Sequence, residues 1–276
     1  MKEFTPSNLN GLNFPELERI FTNHFDNLAF KHSYYNVFDH YLDTVINGFC
    51  FNYDQNIMEH IRKRYSQTER YVFGEMLFIW VKIMDIKISV GNDFFDWFGY
   101  YYEKNAMSKQ HGFAQYFTPE EICKMMVMLL IDKGTDNQKI YEPTCGSGRL
   151  NLASHAVNNK MYHVANDLDY TCAKMSALNF MVHGIKGVVT CDDGLLPKSK
   201  FKGAFVINER FAPSIRFISD VNEAYFYINT QVGVPAVEET EQVTEQVTQQ
   251  DSEINTEFLT EQYQRKADRK GQLTLF

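Results

Sequence analysis

Apolar positions in the first third of the chain recur at helical spacing, with Leu17, Ile20, Phe21, His24 and Leu28 on one face. The segments Tyr34 to Ile46 and Thr68 to Ile88 continue in the same style, so residues 1–112 are expected to form an N-terminal helical domain. Phenylalanine and tyrosine are dense there, and burial in a small core accounts for them better than base stacking does. Thr118-Pro119-Glu120-Glu121 reads as a helix start, with Thr118 as N-cap, Pro119 at the first position and Glu121 completing a capping box. The helix behind it places Ile122, Met125, Met126 and Leu129 on one face. From Ile140 the pattern changes to short apolar strands alternating with helices. Ile140 to Glu142 is a strand, followed by a glycine turn and a helix from Arg149 to Val157. Then come a strand from Met161 to Asn166, a helix from Tyr170 to His183 closed by Gly184, and strands at Val188–Thr190 and Ala204–Ile207. Ile215–Ser219 and Ala224–Asn229 are expected to pair as a hairpin around Asp220-Val221-Asn222. Such alternation predicts an α/β domain over 113–232 with a parallel sheet and right-handed crossovers.

Composition modifies this picture mainly at the carboxyl end. Val234 to Gln264 is polar, acidic and repetitive, and cannot bury enough apolar surface to order itself, so 233–271 is expected to be a disordered linker ahead of residues 272–276. Residues 233–276 hold nine acids and four bases, which supply more than half of the formal charge of −8. No basic run marks a nucleic-acid surface. The most apolar run, Met76 to Val90, carries Lys82, Asp85 and Lys87, and the start of the chain lacks a signal-peptide core, so a cytoplasmic protein with no membrane contact is expected. The five cysteines form no CxxC pair, which argues against a zinc site and for reduced thiols. Four histidines in the helical region, at 24, 32, 40 and 60, show no metal-ligand pattern.

The candidate chemistry gathers around Glu142-Pro143-Thr144-Cys145-Gly146-Ser147-Gly148. Gly146 and Gly148 allow a sharp turn and close approach of backbone to a ligand, and the following helix offers its first amides as donors. Glu142 at the strand's end would repel a phosphate and welcome an ammonium or hydroxyl group. Asp167 ends the neighbouring strand, where an acid can accept hydrogen bonds from a ribose diol, with Leu168 beside any adenine held there. Asp169 is an equally good helix cap. In a parallel sheet, Glu142, Asp167, Asp193 and Asn208 would all occupy one carboxyl-terminal edge, and Phe117 and Thr118 could face the same pocket. A dinucleotide fingerprint fails on spacing, because the position of its third glycine is Asn151.

From Asp96 to Phe211 the motifs resemble the adenine-N6 DNA methyltransferases, closest to the modification subunits of type I restriction systems. Gln115-Tyr116-Phe117-Thr118-Pro119 is similar to the family's GQFFTP segment, and Glu142 to Gly148, Thr144 included, to its DPACGSG turn. The resemblance implies a Rossmann-like class I sheet binding S-adenosylmethionine, with Asp167 at the ribose and Asp193 at the adenine. Against the usual sheet of that family, a truncated sheet is expected, with fewer strands after Phe211. The family's catalytic NPPF signature corresponds to Asn208-Glu209-Arg210-Phe211, in which the asparagine and the aromatic ring survive and both prolines are replaced. The resemblance therefore implies DNA as a partner, and carries two alternatives. One is an adenine-N6 methyltransferase, weak or aided by a specificity partner; the other is a non-catalytic relative acting as an interaction module. The last residues, with Gln272, Leu273, Leu275 and Phe276, resemble the peptide that docks bacterial proteins onto the sliding clamp.

Overall fold

The computed structural model describes residues 6–50, 52–89, 94–109, 116–131 and 138–230. The expected linker 233–271, the terminal peptide with Gln272, Leu273, Leu275 and Phe276, and Gln115 lie outside them. The described residues belong to one compact unit, Met1–Val234.

After a short 3-10 turn at Pro6–Leu9 come five helices: α1 (Phe14–His32), α2 (Tyr34–Phe49), α3 (Gln55–Arg64), α4 (Gln67–Ser89) and α5 (Trp97–Lys109). Helix α1 starts on a capping box between Asn13 and Glu16 and buries Leu17, Phe21, Phe25 and Leu28 along one stripe. The aromatics serve as core. Phe21 meets Tyr41, Trp97 and Tyr101 edge to face, with ring centroids 5.5, 5.1 and 4.9 Å away.

Helix α6 (Glu120–Leu130) differs from expectation at its start and on its surface. Pro119 is the cap residue and Thr118 makes no side-chain cap; the Thr118 carbonyl instead accepts from Arg149 Nη1 at 3.1 Å. Cys123 and Val127 turn inward, while Ile122, Met125 and Leu129 are exposed.

The sheet comprises β1 (Lys139–Glu142), β2 (Tyr162–Asp167), β3 (Gly187–Cys191), β4 (Gly203–Ile207) and β5 (Ile215–Ile218), hydrogen-bonded in chain order. Helix α7 (Arg149–Val157) joins β1 to β2, and α8 (Tyr170–Val182) joins β2 to β3. These first three strands are parallel, as expected. The expectation of a wholly parallel sheet fails at β4, which runs antiparallel to β3, and again at β5, antiparallel to β4. The cause is the connection 192–202. It contains no helix and is shorter than the dozen or so residues that a parallel crossover requires. Buried Asp192 folds it into a tight return, its carboxylate accepting from the amides of Asp193, Lys198 and Lys200 and from the Tyr225 hydroxyl. The expected hairpin after Ile215 is a strand followed by helix α9 (Val221–Thr230), because the Asp220 carboxylate accepts from the Glu223 amide and Ala224, Tyr227 and Ile228 form an apolar stripe.

The two faces of the sheet are covered differently. Ala165, Val189 and Phe205 share one core with α7, α8 and the helices α1–α5, whereas Val164, Val188 and Val206 pack under α9. Helix α8 is buried on every side from Thr171 to Met181. It carries Lys174, which reaches Asp39 at 2.6 Å and Asp43 at 2.9 Å on α2. No helix among the described residues is long and apolar enough to cross a membrane.

Candidate functional site

The carboxyl ends of β1 and β2 open into a cleft of about 340 Å³. Six of the expected cofactor residues line it: Phe117, Thr118, Glu142, Thr144, Gly146 and Asp167. The size lies in the range of small-molecule sites, roughly 300–1,000 Å³. The glycine turn forms its floor. Gly146 (φ +54°) and Gly148 (φ +85°) hold left-handed conformations that L side chains resist. A methyl group on Gly146 would stand 2.7 Å from Phe117 Cδ1, so the aromatic ring lies directly on the bare turn.

Asp167 braces this floor from β2. One of its carboxylate oxygens accepts from the Gly146 amide at 2.9 Å and the other from the Asp169 amide at 2.9 Å. Burial raises its pKa, a shift the two amides oppose. Glu142 sits at the lip, 3.4 Å from both the amide and the hydroxyl of Thr144. Asp169 is the N-cap of α8, accepting from the Thr171 amide, so the two acids at the end of β2 divide turn and cap between them.

The remaining expected residues are placed elsewhere. Gly148 is buried behind the turn, against Ser176 and Phe180. Leu168 is half exposed and does not line the cleft. Asp193 is spent on its own loop: its carboxylate accepts from the amides of Leu195 and Leu196 and pairs with Lys200 at 3.0 Å, the lysine being the main cause of its lowered pKa.

Asn208 and Phe211, expected as the catalytic pair, are not at the cleft. Because β4 is antiparallel to β3, its last residue Ile207 pairs with Gly187 at the start of β3. Asn208 therefore lies at the opposite edge of the sheet, a strand length of roughly 15 Å from the carboxyl ends of β1 and β2. There it is 1% exposed in a left-handed conformation (φ +53°). Its Nδ2 donates to the carbonyls of Phe180, Met181 and Ile185, and its Oδ1 accepts from the Ser214 amide. Phe211, in the loop to β5, is exposed.

Several residues that periodicity did not single out build the site. Arg149, the first residue of α7, spends all three guanidinium nitrogens: Nε on Asp96 at 2.9 Å, Nη2 on Glu103 at 3.0 Å, and Nη1 on the Thr118 carbonyl. Asp96 also accepts from the Gly99 amide, the Ser147 hydroxyl and Asn179 Nδ2. Asn166 ties the strand ends together, donating to the carbonyls of Pro143 and Asp192 and accepting from the Thr190 hydroxyl. The one available signal was a set of polar residues in apolar surroundings, such as Asp96 before Trp97-Phe98. Among the described residues no group of three or more potential metal ligands comes together.

An N-6 DNA Methylase family model matches residues 90–210, which span α5, α6, the glycine turn and the sheet through β4. Among solved structures, the methyltransferase subunit of a type I restriction-modification system from Streptococcus thermophilus is similar at 19% identity with a TM-score of 0.35. That likeness covers 48% of this chain and 29% of the subunit, so the chain spans less than a third of the subunit's length. The N-6 DNA Methylase match thus spans 121 of the 276 residues, and it is over this part that the chain is similar to that family.

Proposed function

We propose that this protein binds S-adenosylmethionine in the cleft between Phe117 and Asp167, and that Asn208-Glu209-Arg210-Phe211 does not carry the methyl to DNA. The residues present suit such a ligand. The cleft of about 340 Å³ beside Phe117 and the glycine turn is of small-molecule size, and Asp167 and Glu142 offer acceptors to hydroxyl and ammonium groups. S-adenosylmethionine brings a methyl group on a positive sulfonium, and because Arg149 in the lining is neutralised by Asp96 and Glu103, the acids Glu142 and Asp167 favour a cation over a phosphate. The family match over residues 90–210 points to adenine N6 in DNA as the family's acceptor.

The observation that carries the non-catalytic reading is the position of Asn208. An amide that accepted from an adenine amino group would have to stand beside the methyl donor, within hydrogen-bond reach. Asn208 is at the other edge of the sheet, with its side-chain amide already committed to four backbone groups. The chain then acts as a cofactor-loaded module of DNA-associated assemblies rather than as a complete methylase.

Calorimetry with the full chain tests this. S-adenosylmethionine should bind, and Asp167→Asn should weaken binding by about tenfold or more, the value of a hydrogen bond to a charged group. Incubation with labelled cofactor and DNA should leave the DNA unlabelled. No binding at millimolar cofactor would remove the cofactor reading. Methyl transfer that disappears in Phe211→Ala, a change at an exposed residue, would restore the enzyme reading.

A further inference from the structure

The wall of the cleft is a piece of irregular chain, Tyr116 to Pro119, and its tethers are unusually concentrated. The Phe117 amide donates to Glu103 Oε1 at 3.0 Å, and the Thr118 carbonyl accepts from Arg149 Nη1 at 3.1 Å. The other oxygen of Glu103 receives Arg149 Nη2, and the Arg149 guanidinium lies 5.7 Å from the Phe117 ring centroid. One arginine thus touches the wall's backbone, its aromatic ring and the carboxylate that holds its amide.

We propose that Arg149 is a positioning residue of the cleft: through Glu103 and Thr118 it holds Phe117 on the bare backbone of Gly146, in the arrangement that ligand binding requires. The inference rests on the cofactor reading above and adds to it a device that no periodicity or motif marks. Arg149 begins α7 directly after the turn, so the cleft's floor and wall are joined through a single side chain. Its far anchor is firm, because Asp96 is held in turn by Gly99, Ser147 and Asn179. The side chain is 11% exposed, so these contacts are made largely out of water, where charge-assisted hydrogen bonds are directional and strong. A lysine at 149 could keep the charge but not the planar fork that reaches Asp96, Glu103 and Thr118 together.

A role limited to holding the fold would lower stability without affecting the ligand in particular, and a double-mutant cycle separates the two. Arg149→Lys should weaken S-adenosylmethionine binding by about tenfold, the scale of one lost charge-assisted hydrogen bond. Phe117→Ala should also weaken it, and the double variant should lose clearly less than the two single losses combined, because Arg149 acts through Phe117. Amide exchange of the ligand-free protein gives an independent readout: in Arg149→Lys, residues 116–120 should exchange faster while α8 is unchanged. Wild-type affinity in Arg149→Lys, strictly additive losses, or unaltered exchange at 116–120 would each overturn the proposal. If the wild-type chain binds no S-adenosylmethionine, the cofactor reading fails, and the exchange measurement still decides whether Arg149 holds the wall.

Discussion

Asn208 donates to the carbonyls of Phe180 and Met181 in the last turn of α8 and of Ile185 just beyond it, and accepts from the Ser214 amide just before β5. It closes a helix end and a strand connection at once, with no water to replace it at 1% exposure. Asn208→Ala should therefore destabilise the protein by about 2–4 kcal/mol, since several buried backbone groups lose their partner. Urea unfolding of the variant measures this. A catalytic asparagine at an open cleft would instead cost little stability on removal. Asn208 stood out in the sequence by its type and its place after a strand, and both are correct. Its surroundings were not legible, because they follow from the direction of β4. That direction is set by the helix-free loop 192–202, and nothing in the local sequence pattern marks Asp192 as the residue that shapes the loop.

Among the elements, the strand, glycine turn and helix of 139–157 were readable because local chemistry specifies them: an apolar run, two glycines and a helix start. The same holds for β2, α8 and β3, where apolar segments alternate with turn residues. Helix α9 was missed because its stripe of Ala224, Tyr227 and Ile228 is short and shared with strand-like aromatics. The packing between elements carries a pH dependence. His155 on α7, His163 on β2 and His183 at the end of α8 are all depressed by burial, His163 to about 3 and His183 to about 4. Native His163 and His183 remain neutral while the unfolded chain takes up protons near 6.5, the ordinary value. The contribution of these rings is thus complete above pH 6.5 and declines as the pH falls towards 4, by about 1.4 kcal/mol per pH unit for the fully buried His163 and by less for the part-buried His183. Thermal unfolding followed from pH 7.5 to pH 5 should show a falling Tm, and His163→Gln should flatten the slope. A pH-independent Tm across that interval would contradict the burial of these rings.

For the whole molecule, the helical region and the sheet are fastened by a buried ion cluster. Burial works against the charge on Lys174, but Asp43 and Asp39 outweigh it and raise its pKa. Lys174→Ala would leave two carboxylates facing each other without a cation, which should cost about 3–5 kcal/mol. Because Trp80 and Trp97 lie in the same core as Val189 and Phe205, tryptophan fluorescence and far-ultraviolet circular dichroism should lose their signals in one coincident transition. Two separate transitions would show that the helices and the sheet unfold independently. The sequence led to the expectation of a helical domain over 1–112 and an α/β domain over 113–232, from the change of pattern along the chain. It did not reveal their union, because Lys174, Asp39 and Asp43 meet across more than a hundred residues and each reads as an ordinary helix-surface charge. The same scale exposes a consequence of the sheet's order. Each strand lies beside the one made just before it, so none has to be threaded between neighbours already paired. The sheet can be laid down strand by strand as the chain is synthesised, with short loops closing first. One of the contacts outside this order is made by Asn52, whose side chain brackets the backbone of Phe217 on the outer edge of β5. That contact spans 165 positions and must wait until the last strand has emerged.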